Sequence, residues 1–174
     1  MRTYCVPAEG NRMELDGVRR QVHADTRWRE WAAAHGLSYR EDAPDLVGVW
    51  FPPFDGMERY VHVMGGQWNT VGFWAFSRGT WNRPLGSDSG HTWIFHDFVF
   101  VKLPGALAPE IVAMSPSEGF ALLGGRLPSG FDFSYRGFDW LEGISPRMSP
   151  QLLEGVLENL TLQINAAPPS LWQH

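Results

Sequence analysis

His91-Thr-Trp-Ile-Phe-His-Asp-Phe-Val-Phe-Val-Lys-Leu103 is the stretch on which the reading of this chain turns. Aromatic and β-branched residues fill it, and Gly90 and Pro104 bound it, so it reads as one long β-strand. Trp93, Phe95, Val99 and Val101 share one side, while Ile94, Phe98 and Phe100 share the other. A strand that is apolar on both sides belongs in the interior of a sheet, covered above and below.

Before this strand, Asp16-Gly17 between Arg12–Leu15 and Val18–Val22 signals a hairpin, preceded by a short strand at Thr3–Val6. A helix begins at Asp25 or Thr26, with Trp28, Trp31, Ala32 and His35 on one stripe and Gly36 as its stop. Both of its tryptophans are expected to be buried on the sheet. Strands are expected at 37–40, at 46–50 as a short extended piece, at 59–64 and at 70–77, with Gly65-Gly66 turning the chain. Residues 79–90 read as a long polar loop. After the central strand come a turn at 104–109, a strand at 110–114 and a short helix from Ser115-Pro116. Two further strands follow at 131–135 and 140–144. A final helix opens at Ser149-Pro150, with Leu153, Val156, Leu157, Leu160 and Ile164 on one face.

Strands joined by short turns and flanked by helices give an α+β fold. It is a mostly antiparallel sheet of about five to seven strands, with a short N-terminal helix and a C-terminal amphipathic helix packed on it. The organisation expected is an N-terminal hairpin extension over 1–24, one domain over 25–167 and an exposed tail over 168–174.

The chain has 174 residues, nine tryptophans, eleven phenylalanines and a net charge of −5. Residues 88–174 carry the whole of that charge, since ten arginines balance ten acids in residues 1–87. With no basic stripe, duplex nucleic acid is an unsuitable partner. Cys5 is the only cysteine, so no intrachain disulfide forms. No apolar run approaches the roughly 20 residues that span a bilayer, and no secretory leader is evident. The expected location is the cytoplasm. Oligomeric state is not readable.

Catalytic and metal signatures are weak throughout. Ser87-Asp88-Ser89-Gly90-His91 contains an Asp-Ser-Gly triplet, better explained as a polar turn. His91 and His96 point to opposite faces of one strand and cannot share an ion, although His62 could meet His96 from a neighbouring strand. Asp97, Asp132, Asp139 and Glu142 could supply paired carboxylates if a cleft brought them together. The glycine pairs at 65–66 and 124–125 lack the lysine and spacing of a phosphate loop. The expectation is therefore no catalytic residue, no metal and no cofactor. Trp68, Trp81, Asn82 and Arg83, in or beside loops, are the binding candidates, because tryptophan and arginine are enriched at contact hot spots.

Several segments read together carry a resemblance. They are Trp31-Ala-Ala-Ala-His-Gly-Leu-Ser-Tyr39, Asp45-Leu-Val47, Pro53-Phe54 before a glycine, Phe98-Val-Phe-Val-Lys-Leu-Pro-Gly-Ala-Leu107, Pro116, and Gly124-Gly125 ahead of Phe131-Asp-Phe133. In their order they resemble a widespread family of actinobacterial proteins that has no assigned activity, over about residues 27–165. Phe73-Trp-Ala-Phe76 departs from the tyrosine-rich strand common in that family. Compact genes of this kind also occur in phages of such hosts.

The function expected is a non-catalytic protein-interaction or regulatory module with a protein partner, encoded by a host or a phage. The alternatives are a carboxylate-based hydrolase and an aromatic-lined binder of a small ligand or carbohydrate. Two carboxyls converging in a deep polar pocket would favour the hydrolase. A closed apolar cavity would favour the small-ligand binder.

Overall fold

The computed structural model describes residues 2–5, 26–52, 57–82, 92–122, 125–137, 139–145 and 148–173. The chain is an α+β fold on one antiparallel sheet. Its strands are β1 (Arg2–Cys5), β2 (Ser38–Asp42), β3 (Glu58–Trp68), β4 (Val71–Asn82), β5 (Thr92–Lys102), β7 (Asp132–Arg136) and β8 (Trp140–Ser145). The order across the sheet is β2-β3-β4-β5-β8-β7. The His91–Leu103 stretch thus becomes β5, an interior strand. One flank of β5 pairs with β4 along its length, from Phe73↔Val101 to Asn82↔Thr92. The other flank is shared. β1 takes residues 92–95 and β8 takes residues 97–102.

Among the described residues, four α-helices accompany the sheet: α1 (Thr26–Ala34), α2 (Pro109–Val112), α3 (Pro116–Leu122) and α4 (Pro150–Ala166). A two-stranded ribbon, β6 (Ala106–Leu107) with β9 (Trp172–Gln173), completes the fold. Helix ends follow local chemistry. Ser149 caps α4 by accepting from the Leu152 amide, with Pro150 in the first turn. Ser115 and Glu118 cap α3 reciprocally, each side chain accepting from the other's backbone amide. Gly36, at φ 65, ends α1 and lets the Leu37 amide reach back to the Ala32 carbonyl.

β5 feeds two large cores and a smaller cluster, in which its Trp93 and Phe95 pack with Val61 and Trp81. Val99 and Val101 join Phe73, Ala75 and Leu141 beneath α1 and α4, where Trp28, Leu153, Val156, Leu157, Leu160 and Ile164 are buried. Phe98 and Phe100 face the opposite way, with Phe76, Tyr60 and Val63. No described helix covers this outer core. A strap over residues 43–51 does so instead, burying Ala43 and packing Leu46, Trp50 and Phe51 on the sheet. Of the two tryptophans expected beneath α1, Trp28 is buried. Trp31 is half-buried and donates from Nε1 to Glu154 at 2.9 Å.

A β-bulge in β3 sorts residues between the cores. Val61 pairs with Ser77 and Met64 with Ala75, so β3 carries one residue more than β4 over that interval. His62 absorbs the excess at φ 53, which lets Tyr60 and Val63 both reach the outer core.

In Gly65↔Trp74, Gly79↔Phe95 and Phe133↔Gly143 a ring lies across the glycine of the neighbouring strand. A Cβ on these glycines would fall 2.7, 2.6 and 2.8 Å from the opposing ring. The absent side chain lets each ring lie flat across its neighbouring strand.

Several expectations are corrected here. Gly65-Gly66 does not turn the chain. β3 runs through it, because these glycines make room for Trp74 and Leu37, and the turn falls at Asn69-Thr70 with Asn69 at φ 53. Residues 110–114 are not a strand: Pro109 presets a first helical turn and Ala108 accepts from both Ile111 and Val112 amides. Leu46–Trp50 is a 3-10 turn and bends rather than an extended piece. β4 runs on to Asn82, shortening the expected 79–90 loop, of which 83–90 lie outside the described residues. The C-terminal tail is exposed over Pro168–Ser170 but not throughout: Trp172 is 8% exposed and pairs with Leu107 in the β6–β9 ribbon. The hairpin expected over 1–24 lies outside the described residues except for β1, which joins the sheet.

Candidate functional site

The outer face gathers aromatic rings and paired charges. Trp50 on the strap stacks on Phe100 at 4.5 Å between ring centroids and meets Trp140 edge-on at 5.7 Å. Phe51 packs on Phe98 at 4.8 Å. Two guanidinium groups lie over the Phe51 ring, Arg78 at 4.5 Å and Arg136 at 4.9 Å. Each is balanced by a carboxylate. Arg78 Nε donates to Glu58 at 2.6 Å, and Arg136 reaches Glu142 at 3.3 Å. Lys102 pairs with Asp139 and lies 5.0 Å over the Trp140 ring.

The electrostatics of this face are those of a partly dry surface. Burial pushes the Tyr60 phenol up from its ordinary value, reinforced by its hydrogen bond to Glu58 at 2.7 Å. Burial also lowers the pKa of His96, and the Arg78 charge adds to the effect. A histidine depressed in the folded state contributes stability above its unfolded value of about 6.5, and that contribution is lost as pH falls through the folded value. Wild-type protein is therefore expected to lose denaturant resistance over the interval in which pH falls below about 6.5. His96→Gln should lose less over that interval, as measured by urea titration across it. An identical pH slope in the variant would refute this role.

Part of the face is open to solvent. Trp74 is 38% exposed, and Val47 and Val49 on the strap are 42% and 63% exposed. The Trp74 indole lies against Gly65 on one side and 6.5 Å from Trp50 on another, so its orientation is set by the sheet. The face thus presents an exposed indole, and the strap over it carries two exposed valines.

The sequence-derived candidates are dispersed. Trp68 ends β3, is 8% exposed, and stacks on Trp31 at 5.6 Å beneath α1. Trp81 is half-buried near the far end of β4, 5.3 Å from Trp93. Trp68 pairs with Val71, so roughly 30 Å of β4 separates the two indoles and one surface cannot hold both. Asn82 ends β4 opposite Thr92, and Arg83 lies outside the described residues, as do Ser87–His91. The backbone of Cys5 lies in β1.

The acids do not converge either. Asp97 is buried on the helix face, where it accepts from Ser77 Oγ at 2.5 Å and from the Met148 amide at 2.6 Å. Glu142 lies on the outer face opposite Phe100 and is engaged by Arg136, while Asp132 is exposed on β7. His62 is buried on the helix face with Tyr39 at 2.9 Å, and β4 and the sheet itself separate it from His96. Among the described residues, no three His, Cys, Asp or Glu side chains gather as a metal site. No described helix is long and apolar enough to cross a membrane.

No family model matches the chain, and no curated protein matches it. One solved structure is similar. It is the crystal structure of the mycobacterial trehalose monomycolate transport factor A, TtfA, with 12% identity and a TM-score of 0.48 over 82% of this chain and 95% of that one. That likeness carries no argument about what this chain does.

Trp74, Val47 and Val49 are the surface residues that sequence reasoning missed. The available signal was Gly65 in a strand, a position that can leave a cross-strand aromatic uncovered.

Proposed function

We propose that this chain is a non-catalytic protein-interaction module whose contact surface is the outer face of the sheet. The observation that carries the reading is the exposed Trp74 indole, set against Gly65 and Trp50 on the face whose strap also exposes Val47 and Val49. A rigid aromatic anchor with arginines nearby is the composition of contact hot spots, because it buries area at little entropic cost. The state of the acids supports the same reading. Glu58, Asp97 and Glu142 each serve a cation or a backbone amide rather than an open pocket. We assign the module a cytoplasmic regulatory role in an actinobacterial host, encoded by that host or by its phage and directed at a host protein.

The test compares affinity capture from an actinobacterial lysate by wild-type protein, by Trp74→Ala and by Val49→Asp. Both variants should fold, with Trp74→Ala costing about 1 kcal/mol in lost cross-strand contact. Both should lose the captured partner. Val49→Asp changes only the exposed strap, so a partner retained by that variant removes the outer face as the docking surface.

A further inference from the structure

A groove of about 1200 Å³ opens on the helix side between α3, residues 125–131 and the first half of α4. It lies across the sheet from the outer face and goes beyond the reading given above. Gly155 stands on its α4 wall. A Cβ there would meet nothing within 4 Å, and the position lacks the positive φ that would call for glycine. Glycine in a helix interior lowers helix stability relative to alanine. Neither packing nor backbone geometry explains the residue, and what it leaves is clearance along the helix backbone.

The neighbours of Gly155 on this wall are carboxamides. Gln151 and Asn159, four residues to either side, line the same groove. The stripe Gln151-Gly155-Asn159 repeats about every 6 Å along the helix axis. An extended polypeptide repeats about every 6.6–6.8 Å per two residues. Carboxamides offer both a donor and an acceptor, which suits main-chain amides. Asn159 is held in place: its Oδ1 accepts from Gln163 Nε2, which also donates to the Arg126 carbonyl at 2.6 Å. This leaves the Asn159 NH2 group to donate elsewhere. Ser115, whose hydroxyl is engaged by Glu118, and Ser117 also line the groove. One cation, Arg126, and one anion, Asp132, stand in the lining, so the groove favours neither sign of charge.

We propose that this groove binds an extended, uncharged polypeptide segment of a partner, with a small residue over Gly155 and its main chain read by Gln151 and Asn159. The probe is an octapeptide, selected on the full chain from a random display library and then synthesised with blocked ends. It should shift the amide resonances of Ser117, Gln151, Gly155 and Asn159. Gly155→Ala should weaken its binding about tenfold while raising Tm by about 2–4 °C, so the loss cannot come from unfolding. Asn159→Ala should weaken binding several-fold, and Trp74→Ala should leave it unchanged, which separates this site from the outer face. Failure to enrich any octapeptide, equal affinity for Gly155→Ala, or displacement of the same resonances by maltose and by no peptide would each overturn the proposal.

Discussion

Replacing Phe100 with alanine is expected to cost about 3–5 kcal/mol, measured as the loss of unfolding free energy in urea. Phe100 is 0% exposed and forms the hub of the outer core. Its ring lies 4.5 Å from Trp50, 5.6 Å from Phe76 and 6.1 Å from Phe51, with Arg136 at 5.4 Å. Removing it leaves a cavity beneath the strap, so both the transfer loss and the void contribute. Phe100→Leu, which refills most of the volume, should cost less than about half as much. Trp50 fluorescence should change in Phe100→Ala under native conditions, because its stacking partner is gone. A loss below about 1.5 kcal/mol would mean that the strap does not pack on the sheet as described.

The second large effect is expected at Asp97. Alanine there should destabilise by about 3 kcal/mol, because it leaves two buried donors, Ser77 Oγ and the Met148 amide, without an acceptor. These two bonds link β4, β5 and the segment that leads into α4, so the damage should appear as a cooperative loss rather than local fraying. Asp97→Asn separates charge from connectivity. Its Oδ1 can still accept from the Met148 amide, and its NH2 can donate to a Ser77 hydroxyl that has turned to accept. That variant should retain most of the stability. If Asp97→Asn proves as damaging as Asp97→Ala, the role of Asp97 depends on its charge, and the tether described here is incomplete.

How much of this was legible in the sequence depends on where the deciding contact lies. β5 was legible because its own residues state that both faces are covered. α4 was legible because its stripe and its Ser149-Pro150 start are local. Gly65-Gly66 misled because a glycine pair signals a turn in isolation, whereas here it makes space for the Trp74 ring on the next strand. Residues 110–114 misled for a related reason: a run of Ile, Val, Ala and Met suits a strand or a buried helix equally, and Pro109 decided it. The tail misled because Trp172 finds Leu107 only once the chain has closed on itself. The candidate site was the least legible part. Trp68 and Trp81 look alike in sequence, yet one is buried beneath α1 and the other packs on Trp93. The Trp74 plate depends on a cross-strand pairing that no local pattern announces.

The strap over the outer core gives this molecule two thresholds of failure. The helix-side core is closed by α1 and α4, whose removal means global unfolding. The outer core is closed by a segment without strand pairing of its own. Its described backbone bonds are short-range turns, apart from the Ala43 amide on the Tyr60 carbonyl. Local opening is set by how few contacts hold a segment, and it can occur far below the global free energy. If residues 43–51 lift, Phe76, Phe98 and Phe100 meet water as a continuous aromatic sheet while the rest of the chain remains native. Shelf life at high concentration would then follow the frequency of that lifting rather than the melting temperature. A variant that pins the strap could resist aggregation without melting any later.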